Sequence, residues 1–147
     1  GYLYAKRTTF HPSAMTYSMK FAADRSILCA AMPLLAVCKI APDGKVVWEA
    51  GLEPRGGADK VEFGSPRDLA SDSQGRIWVT DAEKDKLVCL SKDGKLLLEV
   101  GGHANVDDAE GRGFSGPSGI AAAAVDGKEF LYVGDAGNQR IVKFRLR

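Results

Sequence analysis

The sequence predicts an all-β fold built from repeated four-stranded units. Three observations carry that prediction: an internal echo at a spacing of fifty residues, short runs of β-branched and aromatic residues parted by turn residues, and the lack of any stretch with a sustained helical period and caps. Residues 37–51 return at 87–101. Asp43-Gly44-Lys45 falls on Asp93-Gly94-Lys95, Glu49 on Glu99 and Gly51 on Gly101, and apolar positions match between them. A second echo carries 63–70 onto 114–121, 77–81 onto 131–135 and 86–88 onto 140–142. The chain is therefore about three copies of one unit, the first the most altered.

Each element follows from these alignments. The first unit is expected to place strands at 19–22, 27–30, 36–40 and 45–49. The second places them at 68–71, 76–80, 86–91 and 95–100, and the third at 119–125, 129–133 and 139–145. The turns between them are rich in Asp, Gly, Ser and Pro. Asp93-Gly94 is a hairpin pair in which glycine supplies the positive φ of a tight turn. Residues 1–18 are set apart as an N-terminal arm, and Tyr2, Leu3, Tyr4 and Phe10 make its first half strand-like.

Four-stranded units recurring every ~40–50 residues are the signature of a β-propeller, one unit to a blade. The blades fall at about 19–51, 63–101 and 114–147. Within the last, Phe114, Pro117, Gly119, Ile120, Ala121, Tyr132, Val133, Asp135, Asn138, Arg140, Ile141 and Phe144 form a pattern that resembles the NHL repeat. The middle unit keeps Phe63, Pro66, Leu69, Ala70, Trp78, Val79, Asp81 and Leu87. The first has Ala31, Met32 and Pro33 where the others keep the Asp. The resemblance implies a six-bladed ring, of which three blades are half. A blade buries its two faces against neighbours, so a row of three leaves two apolar faces to be covered. A homodimer completing the ring is expected, with the arm sealing the third blade of its partner; the competing reading is that the chain is a fragment, or that another polypeptide supplies the remaining blades.

Composition narrows the function. At 147 residues, 45% apolar and 27% charged, the chain has the balance of one globular domain. Its 20 Lys and Arg against 19 Asp and Glu leave no global basic field, so nucleic acid is not an expected partner. No apolar run approaches the ~20 residues that span a bilayer, so no membrane is expected. The opening on Gly1 fits a processed or trimmed product, and nothing assigns a compartment. Cys29, Cys38 and Cys89 lack metal-knuckle spacing and read as small buried hydrophobes.

The loops joining blades, with those between second and third strands, gather on the channel face. Arg67, Asp68 and Ser118 begin innermost strands and are the first binding candidates, joined by His103, Asp107 and Asp108 in the long loop before the third blade. Each also has a plainer reading as a solvated loop residue. Asp81 and Asp135 read as structural, accepting hydrogen bonds from the turns that follow them, with Asn138 at a positive-φ position and Arg140 binding Asp135. Gly111, Gly113 and Gly116 match a dinucleotide fingerprint by spacing alone, since no strand-to-helix context surrounds them. The expected function is an interaction module binding a protein or small ligand on the channel face. No cofactor is expected. The resemblance also allows a lyase or hydrolase holding zinc or calcium in the channel, or an RNA-binding propeller.

Overall fold

The computed structural model describes residues 15–32, 34–104 and 112–147. They form three antiparallel sheets in succession. The first is β1 (Met15–Phe21), β2 (Ile27–Met32), β3 (Ala36–Ile40) and β4 (Val46–Ala50); the second is β5 (Pro66–Ser71), β6 (Ile77–Asp81), β7 (Lys86–Leu90) and β8 (Leu96–Gly101). The third holds β9 (Pro117–Val125), β10 (Lys128–Asp135) and β11 (Arg140–Arg145). Within every sheet the strands pair in chain order, the meander of a propeller blade. Among the described residues the helical content is one 3-10 turn, Ala136–Asn138. No helix among the described residues is long and apolar enough to cross a membrane.

The repeated Asp-Gly turns show why the echo is structural. In both, the fourth residue of the turn is glycine at positive φ, +92° for Gly44 and +77° for Gly94. Each closes with an amide bond back across the turn, Gly44 N–H to Ala41 O at 2.8 Å and Gly94 N–H to Ser91 O at 3.0 Å. Beside each turn the register slips by one residue, between Lys39 and Ile40 and between Cys89 and Leu90 on the strand entering it. Glycine also lets the second turn meet the first blade. A Cβ on Gly94 would lie 2.9 Å from the Trp48 ring, whose Nε1 donates to Lys92 O at 3.0 Å.

Packing follows strand alternation. Leu28, Ala30, Val37 and Trp48 of the first blade bury against Phe63, Leu69, Ile77, Val79, Val88 and Leu90 of the second. The other face of the second blade, through Ala70, Trp78, Leu87 and Cys89, meets Phe114, Ile120, Leu131 and Val133 of the third. β6 is consequently buried at every residue, whereas β11 alternates between half-buried and exposed because only one of its faces is covered. All three cysteines are buried. Burial pushes the Cys89 thiol up to about 12, as befits a small apolar filler.

Two expectations change. β1 begins at Met15, so residues 15–18 of the predicted arm belong to the first blade; the rest of the arm lies outside the described residues. Positive φ falls on Gln139 (+51°) rather than on Asn138, which ends the 3-10 turn. The Asn138 amide instead donates to Asp135 Oδ2 and Ala104 O, both at 2.9 Å.

Candidate functional site

The innermost strands β1, β5 and β9 lie side by side, and one carboxylate ties them. Asp68 of β5 accepts from the Ser18 hydroxyl of β1, from the Ile120 amide of β9 at 3.0 Å and from the Leu69 amide at 2.9 Å. Lys20 Nζ stands 3.5 Å from the same group. Thr80 adds a second tie, donating to Ser118 O at 2.7 Å. Asp68 thus spends its oxygens holding blades together.

Asp81 and Asp135 are structural as expected, with Arg140 on Asp135 and the Lys84 turn amide on Asp81, and amides of the preceding loops are added to those donors. Asp81 accepts from Gly64 and Ser65 amides at 2.9 and 2.7 Å, residues that precede the blade, and from the Lys84 amide of the following turn at 3.4 Å. Asp135 accepts from the Ser115 amide at 2.7 Å and from Arg140 Nε at 2.8 Å. Both carboxylates are wholly buried. Each pins an inter-blade loop to the end of a second strand, which fixes the floor of the loop-bearing face.

On that face a cleft of about 470 Å³ is lined by Ser65, Arg67, Ala82, Glu83, Gly116, Ser118 and Ala136. Two of the sequence candidates, Arg67 and Ser118, meet there from different blades. The Arg67 guanidinium lies 5.0 Å from the Tyr17 ring centroid, a cation–π contact that holds the charge at the mouth. Ser118 Oγ stands 3.4 Å from Gly134 O. The cleft offers one cation, two hydroxyls and the Glu83 carboxylate, a polar and mixed-charge surface.

His103 lies before the third blade, bridged to Phe114. Its Nδ1 is 2.7 Å from Asp85 Oδ2, and Asp85 Oδ1 accepts from the Gly116 amide at 2.7 Å. Asp85 therefore links the imidazole to Gly116, one of the residues lining the cleft. The expected neighbours Asp107 and Asp108 lie outside the described residues. Among the described residues no three His, Cys, Asp or Glu side chains gather to hold a metal ion. Tyr17, Glu83 and Asp85 were not singled out from sequence. Asp85 left a signal in the sequence, its place around the motif's Asn and Arg positions, where the echo sets it on Gln139; both take a left-handed φ, +53° and +51°.

A second cleft, about 370 Å³, opens at the opposite strand ends between the first two blades, lined by Asp24, Lys39, Asp72, Gln74 and Lys92 among others. Lys39 Nζ lies 2.7 Å from Asp24 Oδ2. Its hydrogen bond, aided by the Ser26 amide, lowers the Asp24 carboxyl from 3.8 to about 2. A depressed carboxyl stabilises the fold above its unfolded value, and the gain is lost as pH falls through the folded one. Asp24→Asn should therefore sit below the parent by about 0.5 kcal/mol at pH 6, the scale of an exposed pair. The two should converge near pH 2. Urea midpoints across that range check it.

Residues 63–90, most of the second blade, match the family model of the NHL repeat. The match falls on the middle unit, although the motif is fuller in the third. Solved structures superpose on nearly the whole chain. A catalytically inactive virginiamycin B lyase from Staphylococcus aureus with quinupristin aligns at a TM-score of 0.59 and 17% identity, over 95% of this chain and 44% of its own. A streptogramin B lyase aligns at 0.57 and 16%, over 91% and 41%. A chain of a nidogen/laminin complex aligns at 0.57 and 16%, over 91% and 49%. This chain spans less than half the length of each. No curated protein matches. At such identities the likeness is one of fold, a run of propeller blades.

Proposed function

We propose that this chain, a run of β-propeller blades with an NHL repeat at residues 63–90, binds a protein or small ligand at the cleft formed by Ser65, Arg67, Glu83 and Ser118. The observation that carries the reading is convergence: side chains from two blades border one concavity, on the face where two buried aspartates pin the loops. Rigidly seated loops suit recognition because little ordering is left to do on binding. Solved neighbours include a lyase with quinupristin and a nidogen/laminin complex, so the fold accommodates both small and protein ligands. The Arg67 charge favours a ligand with a carboxylate.

The test is a titration of ¹⁵N-labelled protein with pools of acidic peptides and of small carboxylate fragments. Amide shifts should cluster at Ser65, Arg67, Ala82, Gly116 and Ser118. Arg67→Ala should weaken the best binder about tenfold, the worth of one charge-assisted contact. Shifts confined to other surfaces, or an unchanged affinity in Arg67→Ala, would refute the reading.

A second reading, a lyase or hydrolase, is favoured by the His103–Asp85 pair, which a bond to the Gly116 amide ties to the cleft lining. The described residues do not fit a resident metal, so that reading places no step on zinc or calcium. Stoichiometric zinc or calcium surviving dialysis of the purified protein would reverse the judgement.

A further inference from the structure

We propose that the cleft between the first two blades, at the strand ends opposite the Arg67 face, is a second binding site and takes a small aromatic carboxylate. The internal repeat shows what such a seam holds when it is closed. Between the second and third blades the indole of Trp78 fills the space and is 6% exposed. Its Nε1 donates to Asp72 Oδ2 at 2.9 Å, and the Arg76 guanidinium lies 5.7 Å from its ring centroid. Glu129 of the third blade bolts the seam, accepting from the Ser73 amide at 2.6 Å and from its hydroxyl at 2.8 Å.

Every one of these groups has a smaller counterpart at the first seam. Register fixes the correspondence. Ile27 pairs with Ile40 as Ile77 pairs with Leu90, and the turn from Ala22 to Ser26 closes with the same backbone bonds as the turn from Asp72 to Arg76. Leu28 therefore stands in the place of Trp78, Ala22 in that of Asp72, Ser26 in that of Arg76 and Ala23 in that of Ser73. Gly75 stands across the seam in the place of Glu129, and a Cβ on it would lie 3.7 Å from Lys92 Cβ, without a clash. What these replacements leave is the cleft of about 370 Å³, a volume within the range of small-molecule sites.

The lining sets the class of ligand. Leu28 and Ile77 give it an apolar wall where the other seam seats an aromatic ring. Lys39 takes the place of Cys89 on the neighbouring strand, and Asp24 neutralises its ammonium at 2.7 Å. Asp72 is neutralised in turn by Arg76 at 2.6 Å. Lys92 is the cation left over. Among the described residues its ammonium has no ion pair, while its carbonyl is held by Trp48 Nε1 at 3.0 Å. A ring against the apolar wall with a carboxylate on Lys92 satisfies both. A bare anion would leave the wall wet, and a cation would meet Lys39 and Lys92.

Titration of the ¹⁵N-labelled full chain with indole-3-acetate tests the inference. Amide shifts should cluster at Ala23, Ser71, Gln74, Gly75 and Lys92, with a dissociation constant of about 1 mM or tighter. Indole, which lacks the carboxylate, and acetate, which lacks the ring, should each bind about tenfold more weakly or not at all. Lys92→Ala should weaken indole-3-acetate about tenfold. Leu28→Trp, which restores the arrangement of the second seam, should abolish binding; where that variant fails to fold, Lys92→Ala and the two half-ligands decide. Absence of shifts at these amides up to about 10 mM would overturn the inference, as would equal binding of indole or acetate, or an unchanged affinity in Lys92→Ala. Shifts confined to Ser65, Arg67 and Ser118 would overturn it too, placing the ligand at the other cleft alone.

Discussion

Phe114→Ala is expected to lose about 4 kcal/mol of stability, the cost of emptying a fully buried aromatic site. Phe114 is 0% exposed and sits where the second and third blades meet, its ring 6.1 Å from that of Phe144. The surroundings cannot collapse onto the vacancy. The nearest wall is Gly101, held at a φ of +113°, where an added Cβ would lie 2.7 Å from the Phe114 ring. Glycine there is shaped to the aromatic, and removing the ring leaves backbone facing a void. The loss is a large part of the ~5–15 kcal/mol that holds a domain folded. It should appear as a lower urea midpoint at unchanged slope, with protein concentration held constant. A loss under about 1 kcal/mol would mean the two blades do not share that core.

Asp135→Ala should cost a similar amount, about 4 kcal/mol, by another route. Its carboxylate is fully buried and neutralises Arg140 at 2.8 Å while accepting from Ser115 and Asn138. Truncation takes the carboxylate acceptor from the Ser115 amide and from Arg140 Nε, while a second guanidinium nitrogen keeps its bond to Gly113 O at 3.0 Å. Because part of the penalty comes from a half-buried cation that has lost its counter-charge, Arg140→Met in the Asp135→Ala background should recover about 1 kcal/mol. Urea denaturation of the four members of the cycle reads the coupling. If the double variant is no better than the single one, the charge pair is not the cause. Asp81→Ala should cost less, about 3 kcal/mol, since its partners among the described residues are backbone amides.

The blades were legible because blade geometry repeats and its punctuation repeats with it. Asp43-Gly44 and Asp93-Gly94 require the same backbone, and the alternation of β6 and β7 distinguishes the face toward Phe63 from the face toward Phe114. The start of β1 was hidden because the first unit has worn away the motif that marks the others. That Arg67 and Ser118 lie on the loop-bearing face was legible because each stands near the start of an inner strand, a position that alignment supplies. Asp68 begins one too, yet lies between β1 and β9, and strand position does not reveal how many neighbours a carboxylate will serve. The partnership of His103 with Asp85 crosses from one loop to another, a distance that no spacing in the chain encodes.

The position of Asp68 bears on how the wheel can flex. With one oxygen engaged by the first blade and the other by the third, it acts as a rivet near the axle. Fanning the blades apart there requires breaking hydrogen bonds to a carboxylate, which is dearer than sliding apolar side chains. Distortion of the array will therefore pivot about its inner edge and gape at its circumference.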